Sequence, residues 1–413
     1  MTKLRIAIIQ TMCYPYRAHF FEELAKVENM EFTFVFGKAP NYLKHQAFSR
    51  PEEISIFRFN YQFLPSISYQ GKIPTAPFHW KRSFRMFPTL LFRMLKGKYD
   101  GIIVDGALFL DLPPLLLGCK LTRTPIIVWS GGNIKDNLPK STDPLIKKIV
   151  YIFVRFVYQR CNAAIAYGIG TKEFLTFLGM NQNRIFVAPN TVDNFFFEEI
   201  PKMNRERIKA LRRELSLDNK KVILYVGSLE RRKNLDTLIM AFEGIKATLP
   251  ETSLLIVGDG PDKERLVELC NKKNLGDSIK FKGKVNYSDL PFYYSLCNVF
   301  VLPSQGGITV MEAIASGKPV IVSEECNAHY SVPGIVRHKE NGFIVKKGDF
   351  NEIKNHLYHL LTNDDLAVEM GRKGKEIASN LFPVDKMIHG FLEAIKFTIN
   401  TRRRACMKMP KGY

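Results

Sequence analysis

Residues 301–322 read VLPSQGGITVMEAIASGKPVIV, and within 22 residues they set out a strand, a glycine-bearing turn, a helix holding one acid and a second strand. Val299, Phe300, Val301 and Leu302 form a short apolar β-run ended by Pro303. Gly306-Gly307 then opens a helix, TVMEAIAS, that stops at Gly317. The helix therefore begins at the carboxyl end of a strand. In an open parallel sheet ligands bind at that edge, and the unpaired N–H groups of a first helical turn attract a diphosphate or similar anion. Glu312 lies about a turn and a half into the helix, which puts a carboxylate behind the anion, facing a neutral, hydroxyl-rich part of the ligand. Phosphate in front and hydroxyls behind is the outline of a nucleotide sugar.

The same alternation extends outward. In the N-terminal half, strands are expected at 5–9, 32–36, 57–64, 101–104, 125–129, 163–166 and 185–187, with helices at 18–27, 81–96, 110–120, 144–160 and 172–178. Residues 197–219 are charged and helical in pattern, without a strand. A second series follows, with strands at 222–226, 253–257, 279–281, 299–302, 319–322 and 343–345 and helices at 235–248, 261–273, 289–296, 310–316 and 352–363. Such alternation implies mostly parallel sheets covered on both faces. The expected fold is α/β, two doubly wound domains in tandem with a cleft between them: 1–196, then 197–383, a helix at 384–400 packing back towards the first domain, and a disordered basic tail at 401–413.

A chain of 413 residues is too long for one compact core, in keeping with two domains. No apolar run approaches the ~20 residues of a membrane span, and MTKLRIAIIQ enters a strand without a signal-peptide pattern, so a cytoplasmic location is expected. Seven scattered cysteines, none in a CxxC pair, argue against a metal site and against a disulfide framework.

The net charge of +20 and pI near 9.5 call for a partner or surface of opposite sign. Residues 39–98 concentrate it, with ten Lys or Arg, two acids and twelve aromatics. Nucleic acid, anionic lipid headgroups and a solvated basic loop all fit that mixture. No nucleic-acid recognition module accompanies the charge, so nucleic acid is not expected as a partner. Along 144–160, Lys147, Lys148, Tyr151, Arg155 and Tyr158 fall on one stripe of a helical wheel while Ile149, Ile152, Phe153, Val154, Phe156 and Val157 fill the rest. A membrane-surface helix would look like this; a helix packed on its own sheet is the expectation, because a strand follows immediately.

Two further segments carry chemistry. VGSLERRKNL at 226–235 follows the first strand of the second series; Gly227 permits a tight turn, and Arg232 and Lys233 enter the next helix at the same sheet edge as Gly306-Gly307. Two cations there could hold a diphosphate and take up the charge that builds as a glycosidic bond breaks. GDGP at 258–261 also ends a strand, and by itself reads as a simple turn.

Taken in order, these pieces resemble the C-terminal domain of the retaining glycosyltransferases of family four, which have the two-Rossmann GT-B fold. The matched run is YG…TKEF at 167–174, NTVD at 190–193, GSL…RKN at 227–234, GDGP at 258–261, PS…EA at 303–313, GKPVI at 317–321 and NGF at 341–343. Before residue 160 the likeness is confined to PYRAHFFEEL at 15–24, similar to the variant of the family that carries Tyr-Arg there in place of a glycine-rich loop. The resemblance implies that Lys233 and Arg232 bind the donor diphosphate and that Glu312 accepts from the ribose hydroxyls. It further implies that Gly227, Ser228, Gly258, Ser304, Gly306, Gly307, Ile308 and Thr309 surround the phosphate and sugar, and that the backbone at Lys284-Val285 receives the base. Tyr16, Arg17, His19, Ser130 and Asn133 would lie on the acceptor side. Neither a metal nor a cofactor is implied, and transfer would be retaining.

Three positions depart from the pattern. The glutamate usually found eight places before Glu312 is Ser304; the arginine after the first glycine of the phosphate loop is Ser228, with Arg232 close enough to compensate; and where many members place an N-domain histidine the chain reads WSGGN at 129–133. The expected activity is transfer of a hexose or hexosamine to a lipid-linked or cell-surface saccharide at the inner, anionic membrane face. A catalytically impaired scaffold of the same fold is the alternative the departures leave open.

Overall fold

The computed structural model describes residues 3–37, 58–69, 84–106, 111–131, 144–327 and 334–407. Contacts divide the chain into two compact units: Met1–Asn190 with Val384–Tyr413, and Thr191–Pro383.

In the first unit the elements run β1 (Leu4–Gln10), α1 (Ala18–Ala25), β2 (Met30–Gly37), β3 (Tyr61–Leu64), β4 (Ile67–Tyr69), β5 (Phe84–Met86), α2 (Leu90–Gly97), β6 (Gly101–Asp105), α3 (Leu112–Thr122), β7 (Ile126–Ser130), α4 (Pro144–Arg160), β8 (Ala163–Ala166), α5 (Ile169–Phe177) and β9 (Ile185–Val187). Seven strands form a parallel sheet in the order β3-β2-β1-β6-β7-β8-β9, and β4 pairs antiparallel with β5. Continuous apolar runs such as Ile6–Ile9 are buried because both faces of the sheet are covered. On one face Ala7, Ile9, Ile102 and Val104 meet the inner sides of α2, α3 and α4. On the other, α1 brings Phe20 against Trp129.

The second unit continues with α6 (Asn194–Met203), α7 (Arg205–Glu214), β10 (Lys221–Val226), α8 (Leu235–Thr248), β11 (Thr252–Val257), α9 (Lys263–Lys272), β12 (Ile279–Gly283), α10 (Leu290–Leu296), β13 (Val299–Leu302), α11 (Ile308–Ala315), β14 (Val320–Ser323), α12 (Glu324–Asn327), β15 (Gly342–Val345), α13 (Phe350–Thr362) and α14 (Asp364–Leu381). Its parallel sheet has the order β12-β11-β10-β13-β14-β15. This is the doubly wound order in which the connections reverse direction between the first and fourth strands, here β10 and β13, opening a crevice at their carboxyl ends. The last helix, α15 (Val384–Met407), belongs to the first unit, where Phe391 packs on Phe20 and Trp129.

Most expected elements are present with ends shifted by a few residues. Strand β4 and helix α12 have no expected counterpart, and three further differences have a physical reason. A single helix over 81–96 is replaced, among the described residues, by β5 and α2, because Pro88 lacks an N–H and disfavours the helical region for Phe87. The basic tail does not begin at 401: α15 continues to Met407, since Thr401 is followed by Arg, Ala, Cys and Met with no glycine or proline to stop it. Helix α14 has no counterpart in the pattern reading. Gly371 and Gly374 lie inside it, where a Cβ on Gly371 would lie 2.1 Å from Gly317 O, and one on Gly374 would lie 3.3 Å from Ile314 Cγ2. They are the places where α14 approaches α11. Its start is fixed by Asn363, whose side chain accepts from Leu366 N. Much of the basic aromatic stretch, residues 38–57 and 70–83, lies outside the described residues, as does Asn133.

Candidate functional site

The carboxyl edge of the second sheet is laced together by its own backbone. Gly227 N donates to Val257 O (3.0 Å), Leu229 N to Asp259 O (3.0 Å) and Gly258 N to Gly283 O (2.9 Å), so the loops after β10, β11 and β12 are joined in series. Gly258 has φ +135°, and a Cβ there would stand 1.9 Å from Gly227 O. GDGP is therefore more than a turn; only glycine lets the two loops touch.

Beside them, β13 pairs with β10 and leads through 303–307 into α11. Val310 N and Met311 N bond Gly307 O (3.2 and 3.1 Å), so Gly307 to Thr309 carry the amides that a helix start leaves without an intrahelical acceptor. Two consecutive carbonyls of this loop are tied to side chains: Lys233 Nζ donates to Gln305 O at 2.5 Å, and Cys326 Sγ to Gly306 O at 3.0 Å. The tie brings the Lys233 ammonium to the loop that opens α11, which has the charge and the free donors to hold an anion. At its other end α11 is closed by a Schellman arrangement around Gly317 (φ +69°), with Gly317 N on Ile314 O and Lys318 N on Ala313 O.

Glu312, 3% exposed, sits in α11 behind this loop. Tyr294 OH lies 2.8 Å from its Oε2 and 3.1 Å from Thr309 O. Burial lifts the carboxyl pKa from 4.5 to about 8, and the hydrogen bond from Tyr294 offsets only part of that rise. An incoming pair of hydroxyl donors would give the ionised form the partners that burial removes.

Other expected donor-side residues are distributed unevenly. Arg232 turns to Glu230, with Nε at 2.8 Å and Nη2 at 3.3 Å from the carboxylate. Its compensation for Ser228 is therefore not formed here. The carbonyl of Ser228 accepts from Tyr225 OH (3.0 Å). Ser304 is fully buried, and its Oγ has no hydrogen-bond partner among the described residues. Lys284 is exposed and Val285 half-buried just after β12; β12 stands three strand spacings from β13, roughly 14 Å across the edge.

In the first unit Arg17 is 4% exposed. Its guanidinium donates to Gln10 Oε1 and Tyr167 OH and lies 4.4 Å from the Trp129 ring centroid, with Tyr14 and Tyr16 each at 5.4 Å. Burial works against this charge, and the oxygens of Tyr16, Tyr167, Asp105 and Tyr14 outweigh it, so it stays a cation. Tyr16 and Arg17 are thus brought together; Ser130 is buried at the end of β7, and His19 is half-buried in α1. Pattern reading missed Tyr294, Cys326 and the Gln10–Trp129–Tyr167 surround. These residues meet their partners through strand order and helix packing, for which spacing gives no signal. Among the described residues, no three His, Cys, Asp or Glu gather as a metal site requires.

Two Rossmann-like α/β units with this switch-point site define the GT-B fold class. A crystal structure of Anabaena HepE in complex with UDP-glucose has it too, at a TM-score of 0.70 and 17% identity over 95% of this chain and 99% of that one. Residues 207–377 match the family profile of glycosyl transferases group 1, a stretch that contains every donor-side residue named above. An uncharacterized glycosyltransferase of Haemophilus influenzae is 33% identical over 175 residues, 42% of this chain and 48% of the relative. A GDP-mannose-dependent alpha-(1-6)-phosphatidylinositol monomannoside mannosyltransferase of Mycobacterium tuberculosis is 30% identical over 233 residues, covering 54% and 56% of the two chains. The chain spans about half the length of these curated relatives.

Proposed function

We propose that this protein is a glycosyltransferase that takes its sugar from a nucleoside diphosphate sugar and passes it, with retention, to a lipid-linked or cell-surface saccharide at the inner face of a membrane. One observation carries the reading: Lys233 reaches the loop that opens α11 while Glu312 waits buried in the same helix, so a cation, free amides and a hydroxyl acceptor share one switch point. The bound UDP-glucose of the HepE structure and the lipid named for the mycobacterial relative support donor and acceptor class respectively.

In this reading the diphosphate lies against Gly307–Thr309 with Lys233 beside it. Arg232 joins only by leaving Glu230. The ribose hydroxyls donate to Glu312, and the base meets the Lys284-Val285 backbone. The bond from the sugar C1 to the diphosphate oxygen breaks as a bond to the acceptor oxygen forms on the same face. The acceptor proton passes to the departing phosphate oxygen, so no metal or cofactor is needed to neutralise the leaving group. Tyr16, Arg17, His19 and Ser130 serve the acceptor side.

Calorimetric titration with UDP-, GDP- and TDP-sugars tests this directly. One base series should bind, and the complex should release nucleoside diphosphate when acceptor lipid is added. Failure of every donor to bind overturns the reading; binding without turnover favours the impaired scaffold, which buried Ser304 in place of a glutamate makes worth measuring.

A further inference from the structure

Eight of the sixteen large apolar side chains exposed on the described residues come from three neighbouring helices of the first unit. Phe92 and Leu95 project from α2, Leu117 and Leu121 from α3, and Leu145, Ile149, Ile152 and Phe156 from α4, each between 38% and 79% exposed. Helix α2 packs on α3 and α3 on α4, while their inner sides share one apolar cluster on a single face of the sheet. Their outer sides therefore form one surface. On α4 the pattern is sharpest: Val154, Val157 and Tyr158 turn inward, and the exposed residues recur every three or four positions along the opposite side.

Exposed among these apolar groups are Arg93, Lys96, Lys120, Lys148, Arg155 and Arg160, and none of the three helices contains an aspartate or glutamate. Arg160 even stacks on Phe156, its guanidinium carbon 3.3 Å from the ring centroid. An apolar patch of this extent calls for a cover, and the charge says which. A second copy meeting this face by two-fold symmetry would bring cations against the same cations. Nucleic acid has phosphates for the lysines and nothing for the aliphatic side chains. A bilayer with anionic headgroups satisfies both sets at one depth, cations at the phosphates and Leu, Ile and Phe at the acyl boundary. No described helix is long and apolar enough to cross a membrane, so the contact lies along its surface.

We infer that the outer face of α2, α3 and α4 docks this protein onto an anionic bilayer surface. The inference deepens the proposed function by locating the membrane contact, and its observations are independent of the donor site. The test is sedimentation of the full chain with phosphatidylcholine vesicles, with and without phosphatidylglycerol, in the absence of any substrate. Wild type should partition onto the mixed vesicles roughly tenfold or more better than onto neutral ones, and lose that preference at high salt. Combining Ile149→Ser, Ile152→Ser and Phe156→Ser should cut binding roughly tenfold or more; Lys148→Glu with Arg155→Glu should abolish the preference for phosphatidylglycerol. Circular dichroism checks folding, and Phe92→Ser with Leu121→Ser repeats the test on the neighbouring helices should the α4 variants misfold.

Equal binding to both vesicle types, or equal binding by wild type and variants, overturns the inference. So does a dimer in solution that Phe156→Ser dissociates, which would give the face to a second copy. UDP-glucose binding without vesicle binding overturns the docking face alone; vesicle binding without any nucleotide-sugar binding overturns the enzymatic reading alone.

Discussion

Glu312→Gln removes a titrating group from the second unit while keeping its size. The carboxyl's pKa rises from 4.5 to about 8 in the folded protein because it is buried, the Tyr294 hydroxyl pulling the other way. Between those values the folded chain keeps a proton that the unfolded chain has released. Wild-type stability should therefore fall as pH climbs from 4.5 through about 8, and level off above. The slope approaches ~1.4 kcal/mol per pH unit, so the loss from about pH 6 to about pH 8 is roughly 2 kcal/mol, or roughly 4–8 °C in the melting of a unit this size. Scanning calorimetry of wild type and variant at the two pH values isolates the term, since every other group titrates in both. Parallel loss of stability in the two proteins would refute the reasoning, because it would mean that Glu312 is already ionised when buried. The donor should report the same proton. UDP-glucose suits this measurement because its diphosphate bridge does not titrate in the window. If its ribose needs the carboxylate, wild-type affinity at pH 7 should be about tenfold below the plateau reached above pH 8, and the variant should show no such rise.

Lys233→Ala should lower turnover roughly a hundredfold or more, as removal of one preorganised charge stabiliser does; wild-type turnover would remove Lys233 from the mechanism. Gly371→Ala sets a methyl 2.1 Å from Gly317 O and should cost roughly 1–3 kcal/mol in urea unfolding, whereas Gly170→Ala, with nothing within 4 Å, should be close to neutral. Equal effects would mean that the α14–α11 approach is not tight. Arg17→Ala leaves Gln10 and Tyr167 without their donor and Trp129 without its stacked cation, and should destabilise the first unit by roughly 3 kcal/mol in denaturant. A change under about 0.5 kcal/mol would show that this cluster does not hold the strand ends together.

The alternation of apolar runs with helical patterns was enough to place both parallel sheets, because a strand buried on two faces has to be apolar throughout. The strand–turn–helix at 299–317 was equally plain, since Pro303, the paired glycines and Gly317 each impose a local conformation. What escaped depends on contacts distant in sequence. Nothing next to Gly371 and Gly374 in sequence marks Gly317 and Ile314 as their neighbours. Tyr294 reads as one aromatic among several until it meets Glu312, and Arg232 reads as a free cation until Glu230 claims it. Arg17 is marked in the sequence only by its tyrosine neighbour; the strand order that brings Gln10, Trp129 and Tyr167 around it is not written in any one segment. For α4 the pattern allows a membrane-surface helix but favours one packed on its own sheet, and it gives no sign of the adjoining exposed faces of α2 and α3.

Because α15 completes the first unit from the far end of the chain, the two units differ in how they can be made. Thr191–Pro383 is one uninterrupted stretch of chain. Its companion is split, and Phe20 and Trp129 stay uncovered until Phe391 has left the ribosome. During synthesis the half that starts first is thus the half that finishes last.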